Sequence, residues 1–218
     1  DKFILMNLNN RRVLITAGPT WVPIDSVRVI SNIATGSTGI LLAEKMQKLG
    51  AKVTLLLGPV ETCCLNKKIK LIHFRFFDEL RRIILNELNS RKYDIVIHSA
   101  AVSDYKPKKN FKEKVKPGIR RWKMDLIPTP KIIDSIKKID KNLFLVGFKF
   151  EPKAPRKILI DKARRLMSRA RLDLAVANSI DRNQYQAYII GQDKIQGPIG
   201  NKKALAEKLT QALTKSFN

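Results

Sequence analysis

Cysteine is nearly missing from this 218-residue chain: there are two, Cys63 and Cys64, and they are adjacent. Neighbouring cysteines bridge one another only with strain, so the pair reads as reduced thiols and the compartment as cytoplasmic. No CxxC or His/Cys constellation suggests zinc, and His73 and His98, each alone, read as hydrogen-bonded structural residues. No apolar run approaches the ~18 residues of a membrane span, and no signal-peptide pattern opens the chain, so neither anchor nor export is expected. Acid is scarce as well, with 19 Asp+Glu against 43 Lys+Arg and a net charge of +24. A field of that sign attracts phosphate, whether on nucleic acid, anionic lipid or a small triphosphate, and suits a plain solvated surface equally. Because the charge is spread evenly, it does not choose a partner. Aromatics are only 7% of the chain, few for the stacking platforms of a nucleic-acid-binding module.

What is present suffices for a globular core, since hydrophobic residues make up 44% of the chain. Residues 1–10 read as a tail or linker and 11–217 as one domain. Short apolar runs at Val13–Ile15, Lys52–Leu57, Lys70–Phe74, Ile95–Ser99, Leu143–Phe148 and Leu174–Asn178 read as strands. Helical stretches are expected at Ile40–Leu49, Asp78–Leu88, Lys131–Lys138 and Pro155–Ala170, with a last helix capped by Asn201 and running to Leu213. Arg120–Leu126 reads as a further strand, and Tyr188–Ile190 with a return near Ile195 as an antiparallel edge. The alternation predicts an α/β fold: a Rossmann-like, doubly wound, mostly parallel sheet with helices on both faces and a short antiparallel edge. Ligands of such sheets bind at the carboxyl ends of the strands, here the loops after the first and fourth.

The first of those loops starts at Gly18-Pro19-Thr20 and ends at Gly36-Ser37-Thr38-Gly39, which opens a helix. Gly18, Gly36, Ser37 and Gly39 are the candidate phosphate seat, because a helix start leaves N–H groups without partners at the positive end of its dipole. Glycines that only turn the chain and allow close packing are the alternative. Between them lie Asp25, Arg28, Ser31 and Asn32, polar enough to hold a ligand. The second loop, 100–118, is too long and basic for a plain connector, and Lys112, Lys114 and Lys116 share one side of it if it is extended. A solvated edge strand would show the same pattern. An NAD(P)-dependent oxidoreductase fails on spacing: Gly18 and Gly36 are too far apart, and the second strand ends Leu57-Gly58-Pro59 without an acid for the ribose. The Walker motif GxxxxGK[ST] is absent.

The string ITAGPT..PID.VR.ISN..TG..G closely resembles the opening of phosphopantothenoylcysteine synthetase, the phosphopantothenate–cysteine ligase of coenzyme A biosynthesis. That CTP-dependent enzyme is often fused behind a flavin-dependent decarboxylase. The resemblance is dense from Val13 to Gly58, resumes from Tyr93 to Asn178 and thins afterwards. It implies activation of 4'-phosphopantothenate as an acyl-cytidylate, then displacement of CMP by the amine of cysteine, with Mg²⁺ accompanying CTP, no protein metal ligand assigned, and a homodimer paired through the later strands.

Residue by residue, it places the asparagine that handles the acyl-cytidylate at Asn32 and an arginine at Arg28, with Lys114 and its companion Lys116 in the K-x-K motif. Nucleotide contacts fall on His98, Ser99, Ala100, Asp104, Thr129, Pro130, Lys131, Ile132 and Phe148. The implied roles are stabilisation of the activated acyl group by Asn32, neutralisation of phosphate charge by Lys114 and Arg28, and closure of the Lys114 loop over the site. Three departures stand out. Lys131 replaces an acid of the family's turn, SSGKMG is ATGSTG here with loss of a lysine, and the phenylalanine and aspartates expected after the VAN segment are missing. Arg165 and Arg169 keep the four-residue spacing of two family lysines, one residue out of register.

Overall fold

The structure is a computed structural model that describes residues 7–61 and 65–217. Cys63 and Cys64 lie outside the described residues. In chain order these form β1 (Arg12–Ala17), β2 (Trp21–Pro23), β3 (Val29–Ser31), α1 (Ser37–Lys48), β4 (Lys52–Leu57), β5 (Lys70–His73), α2 (Phe77–Ser90) and β6 (Ile95–His98). There follow β7 (Tyr105–Pro107), β8 (Leu126–Pro128), α3 (Ile133–Ile139), β9 (Phe144–Phe150), α4 (Arg156–Ala170), β10 (Leu174–Asp181), β11 (Gln184–Ile190), β12 (Ile195–Ile199) and α5 (Lys202–Phe217).

The main sheet has eight strands in the order β12-β11-β10-β9-β6-β1-β4-β5. From β5 to β10 every neighbouring pair is parallel, whereas β11 runs antiparallel to β10 and β12 to β11. The expected doubly wound sheet with an antiparallel edge is therefore present. The apolar runs of β1, β4 and β6 are buried because both faces of the sheet are covered. Successive side chains alternate between layers: Leu14, Leu56 and Val96 pack with α2, α3 and α4, and Val13, Ile15, Val53 and Ile97 with α1 and α5. The chain winds outward from β1 through β4 to β5, then crosses back to β6 on the other side of β1. That reversal opens a crevice beyond the carboxyl ends of β1 and β6.

Two expectations are corrected. Residues 1–10 do not form a tail throughout, because Leu8 is 1% exposed within the α1/α5 core and its N–H donates to the Leu49 carbonyl at 2.7 Å. Arg120–Leu126 is not a strand. Only Leu126–Pro128 finds a partner, in a two-stranded ladder with β7, while Trp122 turns to Phe111 and Arg28. β-pattern without a free edge to pair with does not become strand. The loop between β1 and α1 also holds an unforeseen hairpin, β2 with β3. Among the described residues no helix is long and apolar enough to cross a membrane.

Candidate functional site

The crevice is a cleft of about 1420 Å³, above the ~300–1,000 Å³ usual for one small-molecule ligand, and so large enough for two substrates side by side. Its floor is the junction of β1 and β6. Thr16 Oγ1 lies 3.0 Å from His98 Nδ1 and accepts the Ala100 N–H at 3.2 Å, and Ser99 Oγ donates to the Thr16 carbonyl at 2.6 Å. The loops beyond are joined in turn: Ala101 N–H donates to the Gly18 carbonyl at 2.9 Å, Ser103 N–H to Thr20 Oγ1 at 2.9 Å, and Thr129 Oγ1 to the Ser103 carbonyl at 2.6 Å. Thr16 carries no mark in the sequence, since a buried threonine in an apolar strand reads like valine until its partner is seen.

One wall is the start of α1. Gly36 caps it in a left-handed conformation at φ 69° with no side chain of its own, and the Ser37 N–H donates to Thr35 Oγ1 only at 3.4 Å, so the first-turn N–H groups border the cleft. Gly39 answers to packing: a Cβ there would stand 2.5 Å from Ala17 Cβ and 2.9 Å from Ser99 Oγ. Lys202, from the first turn of α5, donates to Ser37 Oγ at 2.8 Å and brings an ammonium to this helix end. The motif at 34–39 lacks the family's lysine, and a residue 165 positions away supplies a cation in its vicinity. No local pattern pointed to it.

The opposite wall comes from α4 and the 129–133 turn. Lys162, Arg165, Leu166 and Arg169 line it, with Lys162 paired to Glu151 at 2.6 Å and Arg169 to Asp134 at 3.1 Å. Lys162, one turn of α4 before Leu166, was missed. Lys131 pairs with Asp104, so the lysine that replaces the family's acid becomes the counter-ion of another expected site residue. Phe148 and Phe150 line the end of the cleft, beside Asn178 and Tyr185. Asn178 Oδ1 and the Tyr185 hydroxyl are buried there without a protein hydrogen-bond partner, and burial pushes the Tyr185 phenol up, so it stays protonated. Six Lys or Arg side chains against two acids line the cleft, which makes it a place for anions.

Of the residues singled out from the sequence, Gly18, Asn32, Gly36, Ser37, Gly39, His98, Ser99, Ala100, Asp104, Thr129, Lys131, Ile132, Phe148, Arg165 and Arg169 meet at this cleft. Arg28, Lys114, Lys116 and Pro130 are not part of its lining. Arg28 is engaged elsewhere: its Nε lies 3.1 Å from Asp25 Oδ2, its Nη2 donates to the Val115 carbonyl at 2.7 Å, and its guanidinium sits 5.0 Å from the Trp122 ring centroid. The expected place of Arg28 in the cleft is therefore corrected: its guanidinium is engaged outside the lining. Lys114 is exposed on the segment that Arg28 holds.

Burial lowers the pKa of His98 to about 4, so it is neutral at pH 7 and serves the floor as a hydrogen-bonding group. An unfolded histidine takes its proton near 6.5, and this one resists until about 4, so stability is whole above pH 6.5 and drains away as the pH falls through that window. By pH 4 the loss from this group is about 3 kcal/mol. Replacing His98 with Gln is expected to flatten the fall of melting temperature between those pH values, as read by calorimetry.

Residues 8–217 match the family described as the DNA/pantothenate metabolism flavoprotein C-terminal domain. The chain belongs to that family. It is 36% identical over 215 residues to the coenzyme A biosynthesis bifunctional protein CoaBC of Thermococcus kodakarensis, covering 96% of this chain and 52% of that protein. The chain thus spans about half the length of that relative. Among solved structures, the DNA/pantothenate metabolism flavoprotein from Streptococcus pneumoniae superposes with a TM-score of 0.85 at 25% identity, covering 95% of this chain and 100% of that one. A Cab2 mutant in complex with phosphopantothenate-cysteine shares the fold, with a TM-score of 0.72 at 18% identity over 96% of this chain and 88% of that one. Both structures thus share the fold on which the present cleft is built.

Proposed function

We propose that the chain is a phosphopantothenate–cysteine ligase of coenzyme A biosynthesis that uses CTP. The observation that carries this reading is the cleft itself: one concavity joins an uncapped helix start, Asn32 and six cationic side chains, with volume for a nucleotide and a second anionic substrate. Membership of a family with coenzyme A biosynthesis proteins supports the substrate class.

In the first half-reaction a carboxylate oxygen of 4'-phosphopantothenate attacks the α-phosphorus of CTP, the bond to the bridging oxygen breaks, and pyrophosphate leaves. In the second the amine of cysteine attacks the acyl carbon, the acyl–phosphate bond breaks, CMP leaves with the electron pair, and the amine gives up a proton. The start of α1 with Ser37 and Lys202 takes phosphate, Arg165 and Lys162 balance charge from the other wall, and Asn32 donates to the activated acyl group. Phe148 flanks the base. Lys114 reaches over the polyphosphate from the segment above. One ammonium about 4 Å from a phosphate oxygen contributes roughly 4 kcal/mol at an effective dielectric near 20, before desolvation.

Mg²⁺ fits this cleft as part of the nucleotide. Among the described residues Asp104 and Glu151 are the only lining carboxylates, both are paired to lysines, and no group of three or more His, Cys, Asp or Glu could cage an ion. Bound to the triphosphate, Mg²⁺ would screen the negative charge that opposes attack. We assign the later strands as the pairing surface of a homodimer, and a flavin-dependent decarboxylase, fused or separate, as the functional partner, in keeping with the bifunctional relative.

The test is pyrophosphate release that requires both phosphopantothenate and a nucleotide, run with CTP and with ATP, on the wild type and on Lys114→Ala. The expected outcome is CTP-dependent release that falls by about 10²-fold in the variant. Release indifferent to phosphopantothenate sinks the reading, and release equal with ATP removes the choice of CTP.

A further inference from the structure

Asp25 is 5% exposed, and its carboxylate is surrounded by donors. Oδ1 accepts the N–H groups of Val27 at 2.9 Å and Arg28 at 2.8 Å, and Oδ2 accepts the Val115 N–H at 3.1 Å and lies 3.1 Å from Arg28 Nε. Burial works against the charged carboxylate, but the three backbone donors and Arg28 outweigh it and hold its pKa below the ordinary range. Val115 is thereby gripped twice, since its carbonyl accepts Arg28 Nη2 at 2.7 Å while its N–H goes to Asp25. Four residues earlier the Phe111 N–H donates to the Ile24 carbonyl at 3.0 Å. Phe111 also meets Trp122 edge-on with centroids 6.1 Å apart, and Arg28 lies over the same indole.

The result is an arch. Lys112, Glu113 and Lys114 span two anchored points, Phe111 and Val115, and both are held by residues of the loop between β2 and β3, Ile24, Asp25 and Arg28. The same hairpin ends at Ser31, next to Asn32. An otherwise irregular basic segment has a large conformational entropy to lose, and few contacts of its own with which to offset that loss. The buried carboxylate and its guanidinium supply them, in a setting where a charge left without its partner is costly.

We propose that Asp25 and Arg28 are positioning residues that latch the Lys112–Lys116 segment to the hairpin that leads into Asn32, so that Arg28 acts on the reaction through Lys114 and does not touch substrate. This rests on the ligase reading for the role of Lys114, while the latch itself can be tested without it.

The experiment is limited trypsin digestion of the folded chain, with cleavage after Lys112 and Lys114 followed by mass spectrometry, since Pro117 protects the bond after Lys116. It is run on the wild type, Asp25→Asn, Arg28→Gln, Arg28→Lys and Trp122→Phe, each first checked for a cooperative thermal transition. Asp25→Asn and Arg28→Gln are expected to raise cleavage at those lysines about tenfold, with Arg28→Lys between them and the wild type. Trp122→Phe keeps both hydrogen-bonded anchors and is expected to raise cleavage less than Arg28→Gln does. Pyrophosphate release is then compared in Asp25→Asn, Lys114→Ala and the double variant. If Asp25 acts through Lys114, the double variant is no slower than Lys114→Ala alone. Unchanged cleavage in both Asp25→Asn and Arg28→Gln overturns the latch. Additive losses in the double variant overturn its action through Lys114. A wild type without ligase activity defeats the functional reading and leaves the digestion result standing on its own.

Discussion

On the ligase reading, an Asn32→Ala variant should turn over about 10² to 10³ times more slowly than the wild type and melt at nearly the same temperature. Asn32 follows β3, is exposed, and lines the cleft, where its Nδ2 donates to the Ala101 carbonyl at 3.0 Å. That contact joins the loops after β1 and β6, but a single solvent-accessible hydrogen bond contributes only ~0.5–1.5 kcal/mol to stability. Its chemical worth is larger. In a partly dehydrated cleft an amide held beside the activated acyl group stabilises charge that appears only as the tetrahedral centre forms, and loss of one such donor costs roughly 10²–10³ in rate. Single-turnover measurement of nucleotide monophosphate and product separates the two half-reactions. Equal loss of stability and of activity would assign Asn32 to the scaffold.

Substituting alanine for Gly39 should damage the molecule in the opposite order. The added methyl meets Ala17 Cβ at 2.5 Å and Ser99 Oγ at 2.9 Å, and the first of these belongs to a strand buried on both faces. Ala17 Cβ is fixed to the backbone, and Ser99 Oγ turns away only by giving up its hydrogen bond to the Thr16 carbonyl, so α1 must lift away from the β1–β6 junction. Such overpacking typically costs 1–3 kcal/mol, or about 2–4 °C in melting temperature per kcal/mol for a domain of this size. The same displacement carries Ser37 and the first-turn N–H groups off their line into the cleft, so nucleotide affinity should fall with stability. Calorimetry with and without CTP measures both. A Gly39→Ala protein that melts like the wild type and is stabilised by CTP to the same extent would show that the close approach of α1 is not required.

The two substitutions show why parts of the site were legible and others were not. Gly18, Gly36 and Gly39 stand out in a sequence because a left-handed turn or a helix crowded against a strand excludes larger residues locally. The apolar runs of β1, β4 and β6 stand out because a strand covered on both faces has no polar side to show. Lys202, Lys162 and Thr16 of the floor have no such mark. In a chain with 43 Lys+Arg, a cation that faces the cleft looks like one that faces water. The basic segment misled for a related reason: Lys112, Lys114 and Lys116 alternate as a strand would, but with the sheet edges elsewhere the backbone turns instead to Asp25, Arg28 and Ile24 for partners. Arg28 sits in a motif that suggests contact with substrate, and only the neighbouring buried carboxylate shows where its guanidinium is spent.

The amino-acid sequence by itself determined the alternation of strands and helices, the doubly wound sheet, the place of the cleft at its carboxyl edge and the family. The first three follow from short-range patterns of burial and turn formation, which a chain displays along its length, and the family follows from the matched residues between Val13 and Gly58 and between Tyr93 and Asn178. Only the tertiary structure decided which cations share the cleft, that Lys131 neutralises Asp104, that Lys202 stands at the start of α1, and that Arg28 holds a loop. Those are pairings across 27, 165 and 87 positions, set by how helices and loops pack once the sheet has formed, and electrostatic partnership depends on distance in space.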